Sequence, residues 1–282
     1  MAPTARRLKL PAMLRLSPLR GAAGALGWRL GALWWLLRTS PWRERIGFCR
    51  YALHELVRLA PVAGALAPEE TWVRVAGQRW RVRVGRYELG GYADVWLRRS
   101  YELLPDFVAR PGWSVVDVGA NVGFFALRQA ALGASVVAIE PNPDVRRRLE
   151  RAVSENGFSH AVTVIAAAAG SASGVATLAV GASTLVGTLG PTERPRETHP
   201  VQVERLDDLL AATSGRIDLL KLDVEGAERD VLIGAPATLA RTRRVVLEHH
   251  GPELRAAAHA LLSAGGFQRI FAHGPIDYYA RD

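Results

Sequence analysis

Val116-Asp117-Val118-Gly119-Ala120-Asn121-Val122-Gly123 decides the fold of this chain. An apolar run ends in a turn of small residues, and the apolar pattern resuming near Phe124 is helical, so a strand hands its carboxyl end to a helix N-terminus. Small residues there let the backbone approach a ligand. A dinucleotide turn needs G-x-G-x-x-G, whose middle glycine admits a pyrophosphate. Asn121 holds that middle place, and the spacing D-x-G-x-x-x-G suits a ligand without one. Glu140 follows Gly119 by 21 positions and ends the next apolar run, near the separation at which a carboxylate reaches ribose hydroxyls. Turn and acid together describe a nucleoside site.

Outward from this stretch, short apolar runs alternate with helical patterns. Ser114–Val118, Ser135–Ile139, Val162–Ile165, Ile217–Leu222 and Val245–Leu247 read as strands, mostly without polar alternation, as in a parallel sheet buried on both faces. Val145, Leu149 and Val153 share one face of a helix that begins near Asp144 and stops at Asn156-Gly157. Pro252 opens another, which ends at Gly265-Gly266. The order βαβαβ, then βαβαβ, predicts an α/β doubly wound, mostly parallel Rossmann-like sheet over 112–282, with ligands at the carboxyl ends of its strands. Residues 71–111 read as a lead-in hairpin and helix, with a turn at Gly77-Gln78. By its prolines, 190–200 reads as a loop.

Hydrophobic residues make up 49% of the 282 and charged residues 22%, the balance of a packed globular protein. The net charge of +9 resides wholly in residues 1–60, where eleven Arg and Lys face only Glu44 and Glu55; residues 61–282 are neutral, which argues against a nucleic-acid groove. The single cysteine, Cys49, forms no intramolecular disulfide, so nothing asks for an oxidising compartment. The apolar stretch 21–37 is short for a membrane span and carries Arg29 near its middle. Leu26, Leu30, Leu33, Trp34 and Leu37 recur at helical spacing, and Trp28, Trp34, Trp35 and Trp42 lie beside the arginines. Residues 1–70 thus read as a basic amphipathic helical extension, which either lies on an anionic membrane surface through 1–60 or packs on the domain as a lid. Arg6-Arg7 precede an apolar stretch, but Leu8-Lys9-Leu10 and the missing cleavage site argue against export; the expected location is the cytoplasm, with the inner membrane face as the site of any contact.

Three further segments extend the motif at 117–123, DVGANVG: IEPNP at 139–143, LLKLDVEGAE at 219–228, and the pair LDDLL at 206–210 and VLEHH at 246–250. In this order, over about 112–250, they resemble the FkbM family of S-adenosylmethionine-dependent methyltransferases. The resemblance implies a class I methyltransferase fold, S-adenosylmethionine (SAM) as donor, and O-methylation of a hydroxyl on a small molecule, sugar, glycan, glycolipid or natural product. It sets Gly119, Ala120, Asn121 and Gly123 against SAM, turns Asp117 toward the methionine amine and puts Glu140 on the ribose. After the third strand the chain reads AAAAG at 166–170, so adenine must be held by backbone.

Methyl transfer from a sulfonium to a hydroxyl is an in-line displacement that needs alignment and a base near the carboxyl ends of the fourth and fifth strands. Asp223 and Glu225 follow the fourth strand; Glu248, His249 and His250 follow the fifth. Asp223, inside the most family-like segment, ranks first. Neighbours on an extended chain face opposite ways, so only one of His249 and His250 is expected in the cleft. Glu225-Gly226-Ala227-Glu228 also reads as helix-start chemistry, with Gly226 relieving crowding. Lys221, inside an apolar strand, needs a partner such as Asp223 or Glu225. Asp223 with a histidine leaves a metal route open, but no compact cluster has metal-ligand spacing and no metal is expected. Two rival functions remain: a methyltransferase acting on RNA or protein, and a non-catalytic scaffold whose arm binds a membrane or partner.

Overall fold

The computed structural model describes residues 70–74, 81–85, 88–180, 187–188 and 197–281; the arm with its helix, membrane and lid readings, and the turn at Gly77-Gln78, lie outside them. The chain divides into two compact units at Arg98 and Arg99. In the first, β1 (Glu70–Arg74) pairs antiparallel with β2 (Arg81–Gly85), setting Thr71 opposite Val84 and Val73 opposite Val82. A short α1 (Leu89–Tyr92) runs into a π-helical turn, Ala93–Arg98, where Arg98 Nη1 donates to Asp94 Oδ1 at 2.7 Å.

The second unit is built on β3 (Ser114–Val118), α2 (Phe124–Ala131), β4 (Ser135–Ile139), α3 (Pro143–Glu155) and β5 (Val162–Ile165), all three strands parallel. The start of α3 is fixed locally. Asn142 Oδ1 accepts the Asp144 and Val145 N–H groups, Pro143 takes the first helical turn where no N–H is needed, and Val145, Leu149, Ala152 and Val153 face the core. After an excursion the chain returns through α4 (Leu206–Leu209) to β10 (Leu219–Leu222), on the other side of β3. It continues with α5 (Glu228–Ile233), α6 (Pro236–Ala240), β11 (Arg244–Glu248) and α7 (Pro252–Ala264). Leu219, Leu220 and Leu222 are fully buried, as a central strand covered on both faces requires.

With two last strands, β12 (Gln268–His273) and β13 (Ile276–Ala280), the order across the sheet is β12-β13-β11-β10-β3-β4-β5. The chain leaves β3 toward β4 on one side and comes back to β10 on the other, so the crevice for a ligand opens at the carboxyl ends of β3 and β10. Two parts of the reading need correction. The second half does not end in another parallel strand: β12 (Gln268–His273) and β13 (Ile276–Ala280) form an antiparallel hairpin, with β13 inserted beside β11. The stretch 190–200 is not all loop, because Glu197–Pro200 open β9 (Glu197–Arg205), with Pro200 opposite Thr177 of β7 (Gly174–Val180). With β6 (Ala168–Gly170) and β8 (Gly187–Thr188), these strands make a second, four-stranded sheet, in the order β6-β9-β7-β8. Among the described residues no helix is long and apolar enough to cross a membrane.

Candidate active site

A cleft of about 710 Å³, measured out to open solvent, lies at this switch point. Its walls come from the β3 turn (Val118, Gly119, Asn121), the end of β4 (Ile139 to Asn142), Ala167 to Ala169, Leu178, and the loop after β10 (Asp223 to Glu225). Gly119 has φ +78, and a Cβ there would collide with the Asp223 carbonyl oxygen. Gly123, at φ +88, likewise has Leu149 where a Cβ would go. Both glycines are therefore required first by packing of the turn against its neighbours, and Gly119 at the same time draws the β10 loop into the cleft.

Glu140 is 7% exposed. Its Oε2 accepts the Asn121 N–H and its Oε1 the Asn142 N–H, both at 2.8 Å. Burial pushes this carboxyl up to about 7, against those two bonds and the more distant Lys221 charge. Each oxygen keeps a lone pair for a further donor. Ala167, Ala168 and Ala169 face the cleft beside Leu178 and Val145 and present no polar side chain. An acceptor carboxylate at one end of an apolar slot, beside a turn of exposed backbone, fits a nucleoside-bearing group.

Asp117 departs from its expected place. It is fully buried and does not line the cleft, and its Oδ1 accepts Lys221 Nζ at 3.0 Å. Strand register explains this, because β3 and β10 pair Asp117 directly with Lys221. Lys221 also donates to the Gly119 carbonyl, lies 3.6 Å from Asp223 Oδ2, and stands over the rings of Tyr101 and Phe125. Burial alone would lower its ammonium, but Asp117 and Asp223 override it and the shift is upward. Of its expected partners Asp223 is found; Glu225 pairs elsewhere. Ala120 and Gly123, expected on the ligand, belong to the turn but do not line the cleft.

Asp223 Oδ2 accepts the Tyr101 hydroxyl at 3.0 Å, and the same hydroxyl lies 2.6 Å from Glu248 Oε2. Burial, then the Asp223 charge, raises Glu248 to about 7. His250 sits between two carboxylates, Nδ1 at 2.7 Å from Glu228 Oε1 and Nε2 at 3.2 Å from Glu225 Oε2. The Glu228 contact, aided by Glu225, lifts it to about 9. The two flanking carboxylates favour the protonated ring and occupy both of its nitrogens, which disfavours His250 as the general base. His249 turns the other way, its ring nitrogens enclosed with no hydrogen-bond partner among the described residues, and burial lowers its pKa. Neither histidine lines the cleft, whereas Asp223 and Glu225 do.

One feature was not read from sequence, one was read with another cause, and one was read in part. Tyr101 precedes Asp223 by 122 positions and carries no local motif. Gly226 relieves no crowding, since nothing lies within 4 Å of a Cβ there; its φ of +104 is what demands glycine. Asp223, Glu225 and His250 bring ligand atoms within 4.8 Å of one another, so the metal route left open from sequence, Asp223 with a histidine, acquires Glu225 as a third group and His250 as the histidine.

The methyltransferase FkbM domain family matches residues 117–269. The chain is 31% identical over 219 residues to the 31-O-demethyl-FK506 methyltransferase FkbM of Streptomyces tacrolimicus, covering 66% of this chain and 84% of that one. It is 32% identical to methyltransferase sdnD of Sordaria araneosa, covering 54% of this chain and 73% of that protein. It is 31% identical to the AMB antimetabolite synthetase AmbE of Pseudomonas aeruginosa over 64% of this chain, and spans only 10% of AmbE's length. Among solved structures it resembles methyltransferase FkbM of Methylobacillus flagellatus, with 16% identity and a TM-score of 0.48, covering 91% of this chain and 60% of that one. A match over more than half of its length, running from the β3 turn to the strands beyond the carboxylate cluster, shows that the chain belongs to the FkbM methyltransferase family.

Proposed function

We propose that the chain methylates a hydroxyl group of a sugar, glycan, glycolipid or natural product, with SAM as the donor, and that it does so in the cytoplasm. The observation that carries this reading is that one cleft joins the turn and Glu140 at the ends of β3 and β4 to Asp223 at the end of β10. Two relatives support it by name, one as a methyltransferase and one as the methyltransferase of a 31-O-demethyl compound. When bound, the donor supplies a methyl group on a sulfonium, whose sulfur keeps the bonding pair as the acceptor oxygen attacks. Glu140 would accept ribose hydroxyls, while the Gly119–Asn121 backbone and the alanines of β6 would hold the rest of the nucleoside. Asp223 lines the same cleft and takes the acceptor's hydroxyl proton. Tyr101 and Lys221, both on Asp223 Oδ2, hold that carboxylate in place, and Lys221 stabilises its anion until the proton arrives. Neither histidine lines the cleft, so Asp223 takes the role ahead of them.

Calorimetry with SAM, and transfer of labelled methyl from SAM to a panel of hydroxylated acceptors, test this. Asp223→Asn should bind SAM almost normally and lose transfer by about 10²-fold or more. Failure of the folded native chain to bind SAM overturns the reading. Turnover that survives Asp223→Asn but not His249→Ala moves the base to β11.

A further inference from the structure

Three ligand-type side chains meet where β10 and β11 end. Asp223 and Glu225 come from the loop after β10, and His250 from just beyond β11, so two parallel strands hold the group together. Behind His250 stands Glu228. It is fully buried, its Oε1 meets His250 Nδ1 and also accepts the Gly226 N–H at 3.0 Å, and its Oε2 has no hydrogen-bond partner. A buried carboxylate that holds one ring nitrogen, while the other nitrogen turns toward two more carboxylates, is how a histidine is oriented for a metal ion. Charge points the same way. Asp117, Asp223 and Glu248 gather around Lys221 and Tyr101, and Glu225 and Glu228 around His250, the two groups meeting where Asp223 approaches Glu225 and His250; among the described residues these contacts set five carboxyl groups against two cations.

We propose that Asp223, Glu225 and His250 bind a divalent cation beside the Asp223 end of the cleft, the ion displacing the imidazole's Nε2 proton to solvent, and that the acceptor's hydroxyl oxygen would become a further ligand. The role of the ion rests on the methyltransferase reading; its binding does not. Two carboxylates and one imidazole favour a first-row transition ion such as Mn²⁺ over Ca²⁺ or Mg²⁺, which take oxygen donors. A hydroxyl on such an ion is more acidic, so a carboxylate suffices to take its proton. Glu228 is a positioning residue that acts through His250.

The test is titration of the metal-stripped full chain with MnCl₂ alone, free Mn²⁺ being read by electron paramagnetic resonance without SAM or acceptor. One ion per chain is expected. Affinity should fall at least tenfold in Glu225→Gln and in His250→Ala, and about tenfold in Glu228→Gln. His250→Gln replaces whichever of the first two variants does not fold. Asp144, Glu197 and His199 make a second group with such spacing, though Arg147 already pairs with Asp144. His199→Ala should leave binding unchanged. Absence of Mn²⁺ binding by a chain that still binds SAM overturns the proposal, spares the methyltransferase reading and leaves His250 as an imidazolium clamped between two carboxylates. Binding indifferent to Glu225 and His250 but lost in His199→Ala also overturns it. Mn²⁺ binding by a chain that does not bind SAM supports the site and refutes the donor instead.

Discussion

Glu140 is held by two backbone N–H groups and by burial, and these act in opposite directions on its proton. Because its folded pKa of about 7 exceeds the ordinary 4.5, the carboxyl's contribution to stability is present below about 4.5 and is lost as pH rises through 7. The anion is nevertheless the form that accepts ribose hydroxyls. SAM affinity should therefore fall as pH drops below 7, approaching tenfold per unit at the limit, when calorimetry at pH 8 and pH 6 is compared. Glu140→Ala should weaken SAM by about 1–3 kcal/mol and abolish that pH dependence, since hydroxyls would be left unpaired in a closed site. An unchanged dissociation constant would remove Glu140 from the donor site. The two ends of this cleft were unequally legible. Glu140 and Asp223 could be read because each stands next to an apolar strand run in a fixed motif. Tyr101, the Asp117–Lys221 pair and the choice of His250 over His249 beside Asp223 and Glu225 could not, because long-range register makes them, and one sequence does not print which strands are neighbours.

The β3 turn and the β10 loop are a single mechanical unit, because Gly119 meets the Asp223 carbonyl while Gly226 keeps the loop's backbone in a left-handed conformation. Ala substitutions should separate the two causes. Gly226→Ala meets no atom and costs only conformational strain, about 1 kcal/mol. Gly119→Ala adds a collision with backbone and should cost several kcal/mol by urea denaturation, with loss of SAM binding. Equal stability of the two would show that the approach of β3 to β10 is not what fixes Gly119. Helix α2 is anchored differently. Arg128 donates through Nε to Glu102 at 2.7 Å, Gln129 donates to the same carboxylate, and both partners of the ion pair are buried. Arg128→Ala should destabilise by about 3–5 kcal/mol, since Glu102 would remain buried and short of a counter-charge, whereas replacing both residues with apolar ones should cost less. The βαβαβ half was legible in outline because each strand is a pure apolar run and each helix has its own stop or cap. The second sheet was not, because β7 mixes Gly, Ala and Thr and buries only its last three residues. The β12–β13 hairpin escaped for a different reason: β12 does contain Ile270, Phe271 and Ala272, but it is exposed along its whole length, so this short apolar run does not mark a buried central strand.

At the scale of the molecule, charge separates what the fold does not. The whole +9 belongs to residues 1–60, and the remainder of the chain is balanced. A neutral catalytic domain has no electrostatic means of gathering an anionic polymer or surface, so any such attraction must come from the arm. Half of the eight tryptophans lie there, among arginines and beside the apolar stripe, which is the composition of a segment that rests in a lipid interface. Each basic residue near an anionic leaflet contributes about 1 kcal/mol, so four of them account for roughly a thousandfold in partitioning. The full chain should therefore sediment with anionic vesicles at low salt, remain free with neutral vesicles, and be released as salt shortens the range of the charges. Replacing Arg20, Arg29, Arg38 and Arg43 with Gln should abolish sedimentation. A lid packed on the domain predicts the opposite pattern: no pelleting by either protein, and a lower melting temperature for the variant without any lipid present.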